Sequence, residues 1–447
     1  MPHPCNCLAP FGTPGHSALK GHILTTFDTL GLNATLLKAL EKQEYTTPTP
    51  IQIEAIPHVM EGRDIMGLAQ TGTGKTAAFG LPLCHRLMEI GKAPEPKTVR
   101  ALILAPTREL VNQIADNLIG FTRGTHLKVA TVVGGSSIHI QTTRLARGTD
   151  FLVATPGRLL DLLERRALTL EYTKYLVLDE ADQMLDLGFI HALRKIAKLL
   201  SPRRQTMLFS ATMPKLMEEL AQSYLSEPVR VQVAPPGKVA DKITQTVHFT
   251  TQGDKATLLR EYLAQHPEEM ALVFGRTKHG SEKLMKLLVN WGFSAGSIHG
   301  NKSQSQRERT LKSFRDGELK VLVATDVAAR GIDIPGVRHV YNFDLPNVPE
   351  NYVHRIGRTA RAGAEGRAVA FCSPAEMGEL RAIEKAMKIT IDVAGGSPHI
   401  DTGPAPKQQQ RGRNGGGHSG QKPGGKPGAG GARRSQQGRP QRRTRAA

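Results

Sequence analysis

Short runs of aliphatic and β-branched residues recur along the chain with amphipathic stretches between them: 63–68 (RDIMGL), 101–105 (ALILA), 128–133 (KVATVV), 151–154 (FLVA), 175–178 (YLVL) and 206–209 (TMLF). Continuous apolar runs of this length, rather than alternating ones, are the pattern of parallel strands covered on both faces. The rhythm stops at 234–242 (APPGKVADK), where two prolines, a glycine and charges predict a linker. It resumes at 243–249, 271–274, 321–324, 337–341 and 367–372. Strands alternating with helical stretches on both sides of a linker predict an α/β chain of two successive domains, 25–233 and 243–396, each a mostly parallel sheet flanked by helices. A Pro-, Gly- and His-rich leader, 1–24, reads as disordered or as the product of an upstream start codon. From 397 to 447 the chain is Gly, Gln, Pro, Arg and Lys with almost no apolar residue, too little to offset its ordering entropy, so a disordered tail is predicted.

Composition adds a partner class. At 447 residues, with 39% hydrophobic and 22% charged residues, the chain can bury two ordinary cores. Its formal charge is +19, and residues 402–447 hold 11 of the 59 Lys and Arg residues and none of the 40 acids. A positive field of this size favours polyanions, nucleic acid ahead of anionic membrane. No stretch approaches the roughly 20 apolar residues a membrane span needs. Cys5, Cys7, Cys84 and Cys372 offer neither a disulfide framework nor paired C-x-x-C zinc spacing. With no apolar secretory run in the first 24 residues, an intracellular, cytoplasmic protein is the expectation.

The strand at 63–68 leads into Ala69-Gln70-Thr71-Gly72-Thr73-Gly74-Lys75-Thr76 and then an apolar helix, the context of a phosphate loop. Glycines let backbone N–H groups close around phosphate oxygens, Lys75 can reach the β and γ phosphates, and the Thr76 hydroxyl can ligate magnesium. Ala69 stands where the general pattern has its first glycine. A plain glycine turn with an incidental lysine is the bland alternative, and the acids downstream weigh against it. Asp179 follows YLVL, so its carboxylate emerges at the carboxyl end of a parallel strand, where ligands bind in open α/β sheets. One carboxylate acting through water suits magnesium, and Glu180 is the candidate to deprotonate a water attacking the γ phosphate. A helix cap is a sensible reading of Asp182 alone.

Taken together, these motifs resemble the DEAD-box RNA helicases over residues 27 to about 372. The resemblance implies two tandem RecA-like domains and ATP with Mg²⁺ as cofactors. Tyr45-Thr46-Thr47-Pro48-Thr49-Pro50-Ile51-Gln52 looks like the family's adenine-reading motif, in which the Gln52 amide matches adenine N6 and N7, with Phe27 as the upstream aromatic. Glu44 and Ala360 stand where the family commonly has glycine. Pro106-Thr107-Arg108-Glu109-Leu110, Gly134-Gly135 and Thr155-Pro156-Gly157-Arg158 each follow a predicted strand and, by the resemblance, line an RNA path. Arg108 and Arg158 can bond phosphate oxygens, while Gly135 and Thr155 add backbone donors, so sequence-independent binding is expected. Ser210-Ala211-Thr212 resembles the segment linking hydrolysis to strand separation, with Ser210, Thr212 and Asp182 as coupling residues.

The second lobe has no phosphate loop, and His354-Arg355-Ile356-Gly357-Arg358-Thr359-Ala360-Arg361 matches the family's arginine-finger motif. Arg358 and Arg361 are implied at the γ phosphate, with His354 and Arg355 in coupling; a basic surface for RNA phosphates is the competing reading. Val323-Ala324-Thr325-Asp326 and Arg330-Gly331-Ile332-Asp333 resemble a segment touching both ligands, Thr325 at RNA and Gly331 and Asp333 at the nucleotide. Gly275-Arg276-Thr277, His299-Gly300 and Gln304-Ser305-Gln306-Arg307 match further RNA-side segments, with Arg276, Gly300 and Arg307 as contacts.

The expectation is therefore an ATP-dependent RNA helicase acting on single strands or short duplexes or remodelling RNA–protein complexes, of bacterial RhlE-like type, with a monomeric core. An ATP-gated clamp and a DNA-directed helicase stay open as alternatives, and ribosomal precursors or RNA-decay proteins are the partner classes the resemblance offers. The basic tail reads as added RNA affinity, or as mere solubilisation. Deleting 402–447 is expected to weaken RNA binding and flatten its salt dependence, by about 0.7 in log–log slope for each strand phosphate released, with basal ATPase unchanged. A titration series in salt checks this, and an unaltered slope favours solubilisation.

Overall fold

The structure, a computed structural model, describes residues 25–69, 72–233, 243–329, 334–360 and 365–398. The leader, the linker and the tail beyond 398 lie outside these residues, as do Gln70, Thr71, Arg330, Gly331, Asp333 and Arg361. The first lobe contains β1 (Ile65–Leu68), β2 (Val99–Leu104), β3 (Val129–Val132), β4 (Thr149–Ala154), β5 (Tyr175–Leu178), β6 (Gln205–Ser210) and β7 (Val229–Gln232). The second contains β8 (Ile243–Phe249), β9 (Met270–Phe274), β10 (Ala295–Ile298), β11 (Val321–Ala324), β12 (Val337–Asn342), β13 (Gly366–Cys372) and β14 (Asp392–Gly395).

The sheets run β3-β4-β2-β5-β6-β1-β7 and β10-β11-β9-β12-β13-β8-β14, so the second repeats the first strand for strand. All pairings are parallel. This is the pair of RecA-like α/β domains that the run pattern and the family resemblance together imply. Every residue of β2, β4, β5 and β6 is buried, because helices cover both faces. The sequence reading misses β7, β10 and β14, and all three are edge strands. An edge strand has one covered flank and needs no continuous apolar run, and β14 (DVAG) is largely exposed.

Helices place the loops. Helix Arg108–Phe121 starts at Thr107, whose hydroxyl accepts the Leu110 N–H at 3.2 Å, and it buries Leu110, Val111, Ile114, Ala115, Leu118 and Phe121 at three-to-four-residue spacing. Helix Gln304–Arg315 opens on a capping box between Ser303 and Gln306 but buries only Leu311 and Phe314, leaving its polar face to meet the first lobe. Among the described residues, no helix is long and apolar enough to cross a membrane.

Glu44 and Ala360 both take left-handed backbone, with φ of 60° and 56°. That geometry costs an L-residue about 1–2 kcal/mol and explains why glycine suits both positions. Glycine gives back roughly 0.5–1 kcal/mol in unfolded-chain entropy. Glu44→Gly at this exposed site is therefore expected to raise unfolding stability by about 0.5–1 kcal/mol, measured by denaturant midpoint, whereas Glu44→Ala brings no comparable gain.

Candidate active site

β1 ends between β6 and β7, and the Ala69 N–H extends the β1–β6 ladder by bonding the Ser210 carbonyl at 3.0 Å. The chain then turns through Gly72 and Gly74, with φ of 83° and 91°, into helix Lys75–Met88. A Cβ on Gly74 would lie 2.4 Å from Gln52 Nε2, so only glycine fits there. Gln52 itself ties the adenine-type motif to the loop. Its Oε1 accepts the Thr49 N–H at 2.9 Å, its Nε2 donates to the Gly74 carbonyl at 3.1 Å, and the Thr49 hydroxyl donates to the Thr73 carbonyl at 2.8 Å. Against those contacts, one N–H and one lone pair of the amide are left for a base. Tyr45 lines the adjoining cleft, edge-on to Phe27 at 6.4 Å and to Phe121 at 5.9 Å. Phe27 is buried and backs Tyr45.

The acids stand two strands away, at the end of β5. Lys75, buried, donates from Nζ to the Ala69 carbonyl at 3.1 Å and lies 3.8 Å from Asp179 Oδ1. Burial pushes the Asp179 carboxyl above its ordinary range, against the pull of Lys75 and of the Glu180 N–H, which donates to Oδ1 at 3.0 Å. Burial also raises the Glu180 carboxyl, opposed by Lys75 and, from the second lobe, by Arg358. Both Glu180 carboxylate oxygens are buried and accept no hydrogen bond among the described residues. Its backbone is left-handed at φ 50°, ψ 51°, a strained entry to helix Ala181–Asp186. A buried, strained and unsatisfied carboxylate with a raised pKa is suited to take a proton from a ligand.

Asp182 is committed elsewhere. It accepts from the Ala211 N–H at 3.1 Å, the Thr212 N–H at 2.9 Å and the Thr212 hydroxyl at 3.0 Å, while the Ser210 hydroxyl donates to the Thr212 carbonyl at 2.6 Å. The acidic motif thereby holds the loop after β6. Thr76 and Asp179 supply a hydroxyl and a carboxylate, hard oxygen donors that fit Mg²⁺.

The other half of the same sheet edge carries the remaining predicted residues. Arg108 follows β2, Gly135 follows β3 and Thr155 follows β4, three adjacent strands. The Arg108 guanidinium lies against Gly135, where a Cβ would come within 2.1 Å of Nη1. Thr155 N-caps helix Pro156–Glu164, and Arg158 donates to the Ser136 carbonyl at 2.8 Å. In the second lobe Arg276, Gly300 and Thr325 follow β9, β10 and β11, the matching strands. Gly300 is exposed, Thr325 half-buried, and Arg276 reaches Glu376 at 3.1 Å.

The lobes meet along helices Arg108–Phe121 and Gln304–Arg315. Arg108 donates to Gln304 Oε1 at 3.2 Å, and Arg307 pairs with Glu109 at 3.0 Å. Burial, Arg307 and Arg158 all lower the Arg108 pKa, which marks a convergence of three guanidiniums from both lobes. Beside this contact a cleft of about 750 Å³ has Tyr45, Gln52 and Gly74 on one wall and Gln304, Lys312 and Arg315 on the other. Arg355, 2% exposed, forks onto Asp326 at 2.5 and 2.8 Å and lies 5.0 Å over the Phe274 ring. His354 and the buried Arg358 line the small cavity beside this fork, and Arg358 Nε donates to the His354 carbonyl at 3.2 Å.

Sequence reasoning gives no role to Glu109, Asp326 or Glu376. Glu376 accepts from Lys255 at 2.5 Å, from Arg276 and from the Ser373 and Leu345 N–H groups; despite its burial, the contacts with Lys255 and Ser373 hold its carboxyl below the ordinary range. Each is a single acid whose partner is distant in sequence, so no local pattern marks it.

Known proteins resemble this chain in sequence and in fold. Residues 49–220 match the DEAD/DEAH box helicase family and residues 254–363 the helicase conserved C-terminal domain. The ATP-dependent RNA helicase CshA of Listeria monocytogenes is 44% identical over 365 residues, 82% of this chain and 69% of its own length. S. cerevisiae Dbp5 bound to RNA and ADP BeF3 superposes with a TM-score of 0.73 at 31% identity, over 83% of this chain and 95% of that one. Mss116p, a double-deletion form bound to ssRNA and AMP-PNP, superposes with a TM-score of 0.77 at 30% identity, over 84% of this chain and 80% of that one. Two family regions in tandem on a twice-repeated sheet, and a relative 44% identical over four-fifths of this chain, show that the chain belongs to the DEAD-box RNA helicases.

Proposed function

We propose that the chain hydrolyses ATP in a site completed only by apposition of the two lobes, and uses that cycle to hold, bend and release one RNA strand, separating short duplexes or remodelling RNA–protein complexes. The observation carrying this reading is the cleft between the lobes, with Tyr45, Gln52 and Gly74 on one wall and Gln304, Lys312 and Arg315 on the other, beside the Arg307–Glu109 pair that joins them. Glu180 takes a proton from a water whose oxygen bonds the γ phosphorus; the bond to the β–γ bridging oxygen breaks and ADP leaves with that electron pair. Lys75 and Arg358 carry the charge that spreads over the γ oxygens, and Arg361 is proposed beside them. Thr76 and Asp179 would hold Mg²⁺, which would supply neutralising charge to the phosphates when bound. Tyr45 and Gln52 take the base, with Phe27 behind; Ala69, Gln70, Thr71, Gly72, Thr73 and Gly74 the phosphates; and Gly331 and Asp333 the sugar side.

RNA is proposed along the β3-β4-β2 and β10-β11-β9 ends, on Arg108, Gly135, Thr155, Arg158, Arg276, Gly300, Arg307 and Thr325. Contacts of this kind read the backbone and leave sequence unread. Two links join the ligands. In the second lobe Thr325 adjoins Asp326, which grips Arg355, three residues before Arg358. In the first, Asp182 grips the Ser210–Thr212 loop.

Glu180→Gln is expected to lower ATP turnover by about 10²–10⁴-fold while keeping ATP-dependent RNA binding. Turnover at the parent rate in single-turnover assays removes Glu180 from the chemistry. The pH profile has a defined sign. Glu180 must be ionised, so kcat rises with pH through its raised pKa, and Arg358 holds that pKa down. Arg358→Gln is expected to lower kcat by about 10³–10⁵-fold and to move the acid limb of the residual profile to higher pH. A limb that stays in place separates Arg358 from Glu180.

A further inference from the structure

The N-terminal edge of the second sheet, opposite the strand ends that carry the motifs, holds a second cluster of coordinating side chains. His266 follows helix Lys255–Ala264, Glu269 directly precedes β9, and His339 lies in β12, in register with Ala271 of β9. One ligand atom from each lies within 4.8 Å of the other two. Glu269 Oε2 is hydrogen-bonded to His339 Nε2 and lies 3.8 Å from His266 Nδ1. The two imidazoles stack with centroids 4.6 Å apart at 23°, and Tyr341 lies parallel to His339 at 6.0 Å and 8°, so the ring planes are set by packing. The side chain of His339 is 5% exposed, but those of His266 and Glu269 are 29% and 48% exposed, which opens the cluster to solvent on one side.

We propose that His266, Glu269 and His339 bind a divalent transition metal, with Zn²⁺ the best match. Two imidazole nitrogens and one carboxylate oxygen are a three-protein-ligand zinc set, with water in the fourth position. Mg²⁺ and Ca²⁺ prefer oxygen throughout and suit it poorly. Binding replaces the direct His339–Glu269 hydrogen bond with two metal bonds and ties the segment entering β9 to β12. The site lies on the edge opposite the strand ends that carry Arg276, Gly300 and Thr325, and its effect is on the stability of the second lobe.

A neighbouring cation tunes this site. Arg367 Nη1 lies 3.4 Å from His266 Nε2, which accepts a hydrogen bond only when the ring proton is on Nδ1. Metal on Nδ1 moves that proton to Nε2, and the guanidinium must turn away. Arg367 therefore weakens metal binding both by charge and by tautomer.

The test uses the full chain, stripped of metal with a chelator and titrated with Zn²⁺ against a chromogenic chelator, with Co²⁺ as the spectroscopic probe. Visible bands of four- or five-coordinate cobalt, and a Zn²⁺-dependent rise in melting temperature, are expected. His266→Ala, at a solvent-facing position, is expected to remove one equivalent of metal or weaken it by more than about tenfold, and Glu269→Gln likewise. Arg367→Gln is expected to tighten it. Because the chain has 16 His residues, the comparison is one of stoichiometry between variants. A six-coordinate cobalt spectrum in the parent protein, or identical Zn²⁺ isotherms for the parent and His266→Ala, overturns the proposal; retained basal ATPase confirms that each variant is folded.

Discussion

Four ionisable groups of the nucleotide site, Lys75, Asp179, Glu180 and Arg358, are each at most 5% exposed. Buried charges persist only when opposite charge or hydrogen bonds compensate them. Asp179 has Lys75 and a backbone N–H, and Asp182 beside them is satisfied by the loop after β6. Of these three acids, Glu180 is the one that accepts no hydrogen bond among the described residues, and Arg358 of the other lobe opposes the rise of its pKa. The carboxylate proposed to react is thus one whose surroundings include the other lobe.

Topology brings about this dependence. Parallel strands put all their carboxyl ends on one edge, and the order β3-β4-β2-β5-β6-β1-β7 divides that edge in two. Loops after β5, β6 and β1 hold the acidic motif, the Ser210–Thr212 segment and the phosphate loop, while loops after β3, β4 and β2 hold Gly135, Thr155 and Arg108. The second sheet repeats the order and presents Gly300, Thr325 and Arg276 from the corresponding half. Arg307 and Glu109 fasten one lobe to the other between these halves. In the proposed cycle, these short chains of packed, hydrogen-bonded residues couple hydrolysis to strand binding.

Much of this was legible in the sequence. Buried strands such as β2, β5 and β11 announce themselves because both faces must be apolar. The phosphate loop and acids are legible because phosphate chemistry demands fixed spacings. The edge strands β7, β10 and β14 were not, since half-covered segments carry no such run. Long-range partners were equally hidden: nothing near Arg355 points to Asp326, and nothing near Arg307 to Glu109. The internal bonds of Gln52, which make the adenine-type motif a brace for Gly74, were also out of reach, because spacing names the residue but not its second partner. The two departures from glycine, Glu44 and Ala360, proved to mark left-handed backbone.

A double-mutant cycle on kcat between Glu180→Gln and Arg358→Ala, measured in single turnover with saturating RNA and ATP, addresses the split site most directly. If the two residues act as a unit across the lobes, the double variant is no slower than the slower single variant, as with residues that stabilise one transition state jointly. If the two losses multiply, Glu180 and Arg358 act independently and the site is not completed by apposition of the lobes.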